Sequence, residues 1–519
     1  MDYKSLTAKN TLANWTALVI NTVVGFFLAP FILHKLGDSA NGLYYLIGTV
    51  VGYYGLLDLG IGTSIIQYVA RFNATGDDES LYRIVNTTLF AYTILGLIVL
   101  ALTGAGYFYV DSFFHISPQF LRTARLLFLI TGAGVAFYFP FSIFFGIIDG
   151  LQKFYLTALL AAFFTVLRAV LVVIFLDRGY GLLTLALISV GAFSVCNNVA
   201  CMAITPKLIR LRWGWRYVDR KTIHLIFNYS FTSFIISIAN TLRGRADNVV
   251  IGVFRSTEAI TYYSIGQRLV EYVNRITGSI AGNFNALASH LHSSGDEKGL
   301  QKLYIEGNRL CTLAFLPVSA GLFILGRPLI AIWMGPQYVS ASFAILVILL
   351  IPNILCGIQS ASTRILYGMN LHKWLAKVMI GEGVANLVLS VILVRRMGIF
   401  GVAWGTAIPM AFTSVVLIPF YLCRVVKVPL FQFVRRTYTI PVILTSPMVA
   451  VLLVLKHFIT AQTWFALAAQ VIAGGLVYIA LFSWWFFTRD SMGIRMRSRY
   501  AQYVPRFFSS KGSDVSSRG

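Results

Sequence analysis

Long apolar stretches separated by short polar breaks recur along the whole chain. They fall at about 11–34, 43–70, 84–107, 122–146, 151–176 and 182–204. After a basic stretch they resume at about 225–254, 258–288, 304–330, 338–366, 374–394 and 400–423, with two more at about 437–460 and 463–487. Each is long enough to cross a ~30 Å hydrocarbon core as a helix, so the pattern predicts about fourteen transmembrane spans. The period-two alternation of a transmembrane barrel is absent. In lipid every backbone polar group must be satisfied internally. The expected fold class is therefore an all-α polytopic membrane protein.

The polar breaks carry a repeat. Leu43-Tyr44-Tyr45-Leu46-Ile47-Gly48 lines up with Thr261-Tyr262-Tyr263-Ser264-Ile265-Gly266, and the segment Gly76–Leu81 (GDDESL) with Gly295–Leu300 (GDEKGL). Leu151–Phe154 lines up with Leu371–Trp374, and Gly181 with Gly401. All four pairs share an offset of 218–220 residues. Six spans per copy is an even number, so both copies insert the same way up. This predicts two six-helix bundles related by a pseudo-twofold axis along the membrane normal, plus a final helix pair. The expected organisation is a first bundle over 1–204, a basic interfacial linker over 205–224 and a second bundle over 225–424. The extra pair then covers 425–488 and a basic tail 489–519.

Composition agrees: 57% of the 519 residues are hydrophobic and 12% charged, too little charge for a soluble domain of this size. The net charge of +23 is no nucleic-acid signal, because the bases lie mostly in loops and the tail. With the N-terminus inside, the inner loops hold Lys4, Lys9, Arg71, Arg83, Lys153, the run Lys207–Lys221, Lys298, Lys302, Lys373, Lys377, Arg424, Lys427, Arg435 and Arg436. The outer loops hold about a third as many, so both termini are expected to be cytoplasmic. In the linker, Leu208, Leu211 and Trp215 recur at helical spacing among basic residues, which predicts a helix lying on the cytoplasmic face.

Charges inside predicted spans are expensive and point to function. The second bundle holds Arg243, Arg245, Asp247, Arg268, Glu271, Arg275, Arg364 and Glu382; the first holds Asp58 and Arg168. Arg268, Tyr272, Arg275 and Ser279 share one helical stripe, with Glu271 beside it. Either this is a self-neutralising cluster that joins helices, or it is the cationic wall of a cavity that receives an anion. Arginine suits phosphate because its fork binds paired oxygens. At the repeat offset Val50 and Leu57 stand where Arg268 and Arg275 stand, so the wall is expected on the second bundle only. Arg243 and Asp247, at i and i+4, are placed to pair. Asp58 either caps a broken helix near Gly60 and Gly62 or, like Asp247 and Glu382, pairs with an arginine or couples transport to a proton or sodium ion.

Signatures of catalysis, of a cofactor and of a metal site are missing from the sequence. The five cysteines are widely spaced and suggest no disulfide framework. No outer loop exceeds about fourteen residues, too short for a folded domain. These features favour a transporter over an enzyme such as a polysaccharide polymerase or acyltransferase, and a mere scaffold would not need buried arginines.

The segment FILHKLGDSANGLYYLIGTVVGYYGLLDLGIGTSIIQYVARF resembles the opening of the polysaccharide-transporter family, the O-antigen type lipid-oligosaccharide flippases. The resembling points are the Lys35-Leu36-Gly37 turn, the Gly42-Leu43-Tyr44 start and Asp58–Gly62, although the family often has arginine where this chain has Lys35. The wider group is the multidrug/oligosaccharidyl-lipid/polysaccharide exporter superfamily, which this chain resembles in span count, repeat and final pair. The resemblance implies transport of an undecaprenyl-diphosphate-linked oligosaccharide across the bacterial cytoplasmic membrane, the anionic head being held in a cationic cavity between two rocking bundles. A peptidoglycan-precursor flippase and a multidrug exporter are the alternatives within that superfamily. The first span lacks the acid common in cation-coupled drug exporters.

Overall fold

The computed structural model describes residues 3–282, 284–459 and 461–489; the expected basic tail beyond residue 489 lies outside them. The first half contains α1 (Tyr3–Leu36), α2 (Asp38–Gly52), α3 (Ile61–Thr75), α4 (Asp78–Phe113), α5 (Leu121–Gly150), α6 (Phe154–Asp177), α7 (Leu182–Ser189) and α8 (Asn197–Leu208). The second contains α9 (Arg220–Phe254), α10 (Thr257–Ala281), α11 (Phe284–Ser293), α12 (Glu297–Trp333), α13 (Val339–Gly357), α14 (Ser360–Gly368), α15 (His372–Met397), α16 (Ile399–Phe412) and α17 (Ile418–Val426). A final pair follows, α18 (Leu430–Phe458) and α19 (Trp464–Arg489).

The chain is a multi-pass membrane protein. Among the described residues, eleven continuous helical stretches are long and apolar enough to cross a membrane. The pair α2–α3, bent by 44° at its break and taken as one span, makes a twelfth. The sequence pattern led to about fourteen because it also counts α9 and α10. These have 35 and 25 residues, and 25 residues of helix already reach about 37 Å. Their length suffices, but they carry the charges that set them apart.

The repeat is visible in local geometry. Asp77 caps α4 by accepting from Ser80 N at 3.0 Å, and Asp296 caps α12 by accepting from Gly299 N at 2.8 Å. The preceding glycines, Gly76 and Gly295, have φ of 69° and 70°. These matching caps are what the GDDESL and GDEKGL segments encode. The last span of each half also carries a π-helical turn, at Val190–Cys196 and Thr413–Leu417. One pairing shifts, however. Gln152 and Asn370 share a left-handed backbone, φ 61° and 60°, which sets the local offset at 218 and not at the 220 of the Leu151/Leu371 match. Backbone conformation, and not the chance identity of Leu and Lys, marks the equivalent turn.

The linker differs from its helical expectation. α8 stops at Leu208 and Ile209 is extended, φ −151° and ψ 141°, so Leu208, Leu211 and Trp215 do not share a helix face. Side chains of α4 take the place of helical hydrogen bonds. Asn86 Nδ2 donates to Arg212 O at 2.8 Å, and Gly214 N donates to Asn86 Oδ1 at 3.0 Å. Thr87 Oγ1 donates to Tyr217 O at 3.4 Å. With these backbone groups satisfied, a helix gains nothing there. Asp219 then caps α9, accepting from Lys221 N and Thr222 N.

The halves meet along α2 and α10. A shared core cluster joins Ala29, Leu33 and Leu46 of the first half to Val250, Ile251, Ile260, Tyr263, Trp333 and Ile345 of the second. Apolar side chains gain little from meeting each other in lipid, so such a seam depends on close packing and interhelical hydrogen bonds. Both are present. Trp333 Nε1 donates to Phe26 O at 2.8 Å and His34 Nε2 lies 2.9 Å from Met334 O. Thr261 Oγ1 donates to Asp38 O at 2.8 Å and Asn248 Nδ2 to Thr49 Oγ1 at 3.1 Å. Tyr338 donates to Asp38 and Ser39 to Glu258. These bonds gather at one end of the molecule, the closed face. Beyond Tyr53–Asp58 the chain breaks at Leu59 and Gly60, both left-handed. α3 then packs on α4, α5 and α9, whereas α2, which shares α5 and α9, packs mainly on α10.

Candidate functional site

The predicted stripe on α10 lies at the seam, just inside the closed face. Arg268 points at the first half, donating to the hydroxyl of Tyr45 with its guanidinium 4.9 Å from the ring centroid. One turn on, Tyr272 packs against the stacked pair Phe26 and Trp333 at 6.1 and 6.4 Å. The Arg275 guanidinium lies 5.8 Å from the Tyr272 ring, and the side chain is exposed. Arg268, Tyr272 and Arg275 thus form a ladder in which aromatic faces orient cations. The Ser279 side chain lies outside the described residues.

Glu271 turns to the neighbouring face. It lines a cavity of about 350 Å³ within the second half, together with Asp247, Gln267, Asn274, Asn353, Arg364 and Thr406. Arg364 lines this cavity with Glu271, which also stands beside Arg268 of the ladder. At the cavity floor Asp247 is buried and accepts from Tyr263 Oη at 2.6 Å and Thr406 Oγ1 at 2.8 Å. Thr406 Oγ1 also lies 3.3 Å from both Asn386 Oδ1 and Val402 O. A hydroxyl has one proton to give, so this one serves three acceptors in turn. Glu382 is buried one turn before Asn386 and accepts from Thr413.

Asp58 sits at the break before α3. It accepts from Tyr92 Oη at 2.6 Å and from Gly62 N at 3.4 Å, the geometry of a capped break. The side chains of Arg243 and Arg245 lie outside the described residues. Arg168 of α6 was not among the expected ligands, yet its Nε is buried without a hydrogen-bond partner, and its charge acts on Tyr45, the residue that accepts from Arg268. Its signal in the sequence was a single arginine in the apolar run 151–176.

Beside the ladder an apolar groove of about 680 Å³ runs between α1, α10, α12 and the final pair. Its walls include Phe27, Tyr272, Leu322, Leu452 and Tyr478. The groove joins the flank of the seam to the face of α18 and α19.

A family model described as "Polysaccharide biosynthesis protein" matches residues 42–343, more than half of the chain. The "Uncharacterized membrane protein EpsK" of Bacillus subtilis is 21% identical over 433 residues, covering 80% of this chain and 83% of that one. The "Putative O-antigen transporter" of Shigella flexneri is 20% identical over 407 residues, 76% of this chain and 93% of its own. Among solved structures, "Lipid II flippase MurJ, inward closed conformation" superposes with a TM-score of 0.68 at 18% identity, over 92% of this chain and 98% of its own. An inward-facing multidrug resistance MATE family transporter of the MOP superfamily gives 0.67 at 15% identity, over 80% and 98%.

Proposed function

The chain belongs to the polysaccharide biosynthesis protein family, and from that premise we propose that it flips a polyprenyl-diphosphate-linked oligosaccharide across the cytoplasmic membrane by alternating access. The observation that carries this is the arginine ladder at the seam of two repeat-related halves. The cations sit where rocking of the halves changes which side of the membrane they face. A diphosphate offers the paired oxygens that guanidinium forks hold. In this reading Arg268 and Arg275 of the second half and Arg168 of the first hold the diphosphate, with Arg243 and Arg245 on the second half as well. Glu271 and Arg364 line the adjoining polar cavity that takes the first sugars. The lipid chain leaves the seam along the groove between α1, α12 and the final pair.

In this reading the distribution of Lys and Arg makes the closed face the outer one, so the substrate loads from the cytoplasm. Asp247 is the coupling acid. Its hydroxyl partners Tyr263 and Thr406 suit a carboxyl that exchanges a proton or a sodium ion during the cycle. Asp58 keeps its structural role at the break. No bond is made or broken in this cycle, so the chain acts as a transporter and not as an enzyme.

The test is reconstitution of the purified protein in vesicles with a fluorescent polyprenyl-diphosphate-linked oligosaccharide in the outer leaflet. Protein-dependent loss of accessibility to a membrane-impermeant quencher supports the reading. Equal transfer with protein-free vesicles, or transfer of cationic drugs instead, contradicts it.

A further inference from the structure

Away from the seam, two adjoining clefts on the second half combine a charged chamber with an apolar one. The charged cleft, about 920 Å³, lies between the starts of α12 and α18 and gathers Lys298, Lys302, Arg309, Lys427, Arg435 and Arg436 around a single acid, Glu306. Glu297 pairs with Lys427 at 2.7 Å. Six cations less Glu306 and Glu297 leave an excess of four positive charges. The apolar cleft, about 390 Å³, shares Lys302, Glu306 and Arg309 with the first, and its walls include Leu310, Leu313, Phe482, Trp485 and Phe486. Arg309 stands at the boundary, its guanidinium 5.5 Å from the Trp485 ring.

The clefts lie at headgroup depth. α18 becomes apolar soon after Arg436, and α19 ends in Trp484-Trp485-Phe486-Phe487, the aromatic belt that marks a membrane interface. We propose that they form one binding site for an acidic phospholipid of the bilayer, with its phosphate among the lysines and arginines and its acyl chains along the aromatic cleft. A surplus of this size beside lipid calls for a counter-charge, and each such cation near a charged surface contributes about 1 kcal/mol towards an anionic lipid. The continuous apolar wall calls for a chain on the same molecule, which free phosphate lacks. The transported lipid also carries phosphate and a chain, but every lining residue of the two clefts falls between Phe284 and Phe486, and none belongs to the arginine ladder. The bound lipid ties α18 and α19 to the start of α12.

The experiment titrates detergent-solubilised full-length protein with phosphatidylglycerol or phosphatidylcholine of matched chains and counts retained lipid by native mass spectrometry. Phosphatidylglycerol is expected to be held about tenfold or more tightly. The Arg435→Gln, Arg436→Gln variant loses most of that preference, whereas Arg268→Ala keeps it. Lys298→Gln, a single exposed change, lowers it about fivefold with an unchanged melting temperature, which separates lost binding from lost folding. Equal retention of both lipids, or a preference that survives in Arg435→Gln, Arg436→Gln and in Lys302→Gln, Arg309→Gln, overturns the site. Preferential displacement of phosphatidylglycerol by a polyprenyl diphosphate overturns the assigned ligand, as does saturable binding of inorganic phosphate alone with equal affinity.

Discussion

Gly42 and Thr257 touch across the seam so closely that a Cβ added to Gly42 would stand 1.7 Å from the carbonyl oxygen of Thr257. The neighbour is backbone, so it cannot swing aside as a side chain would. The closed face therefore requires glycine at this position. Replacing Gly42 by Ala or Val costs closure about 1–3 kcal/mol of overpacking, which biases the two-state equilibrium by roughly fivefold to 150-fold. Disulfide formation between cysteines placed at Asn41 and Thr261, whose side chains meet at 3.2 Å, is expected to fall in Gly42→Val. Undiminished cross-linking would mean that the two helices part without effect on closure.

Gly42 also shows what the sequence made legible. The Gly42-Leu43-Tyr44 start was readable as a resembling motif, and the matching tyrosines gave the repeat. That its glycine abuts the other half was not readable, because contact between residues 215 positions apart depends on how the bundles dock. The same limit applied to the ladder. Helical spacing put Arg268, Tyr272 and Arg275 on one stripe, and they lie on one. Spacing along a single helix could not show that Glu271 and Arg364 share a separate cavity, since Arg364 comes from α14. The linker misled for a different reason: its helical spacing was real, but Asn86 of α4 satisfies its backbone in another conformation.

That clamp is itself testable. Asn86→Ala removes two hydrogen bonds to the linker and leaves Gly214 N and Arg212 O to find other partners, a loss of about 1–3 kcal/mol. Amide hydrogen exchange over residues 210–218 is expected to quicken while the rest of α4 keeps its protection. Unchanged exchange would show that Thr87 and the packing of Leu211 hold the linker unaided.

Orientation can be read by labelling single cysteines in intact cells with an impermeant maleimide. Ser117→Cys, near the closed face where His115 N donates to Gly252 O, is expected to react from outside. Trp215→Cys, on the linker, is 79% exposed at its native tryptophan and reacts only after the cells are opened. The reverse pattern would place the closed face in the cytoplasm.

Asp247→Asn keeps the shape and the hydrogen bond from Tyr263 but removes the charge. Flipping is expected to lose its dependence on an imposed proton or sodium gradient, with protein level in the membrane unchanged. Thr406→Val weakens that dependence without abolishing it, because Tyr263 remains. Full gradient dependence in Asp247→Asn would remove this acid from the coupling step and direct attention to Glu382.

The central claim is that the ladder on α10 holds an anion. Glu271 stands beside Arg268 and can neutralise only one of the two arginines in full, so the ladder keeps a net positive charge at the seam, an expensive arrangement unless something negative arrives. Export of the lipid-linked glycan in cells, scored beside the amount of protein in the membrane, tests it most directly. The Arg268→Ala, Arg275→Ala variant is expected to insert at normal levels and export almost nothing. Lysine at both positions restores only part of the activity, since it keeps the charge and loses the fork. Normal export by the double alanine variant at normal membrane level would contradict the account and leave the two arginines as structural ties between helices.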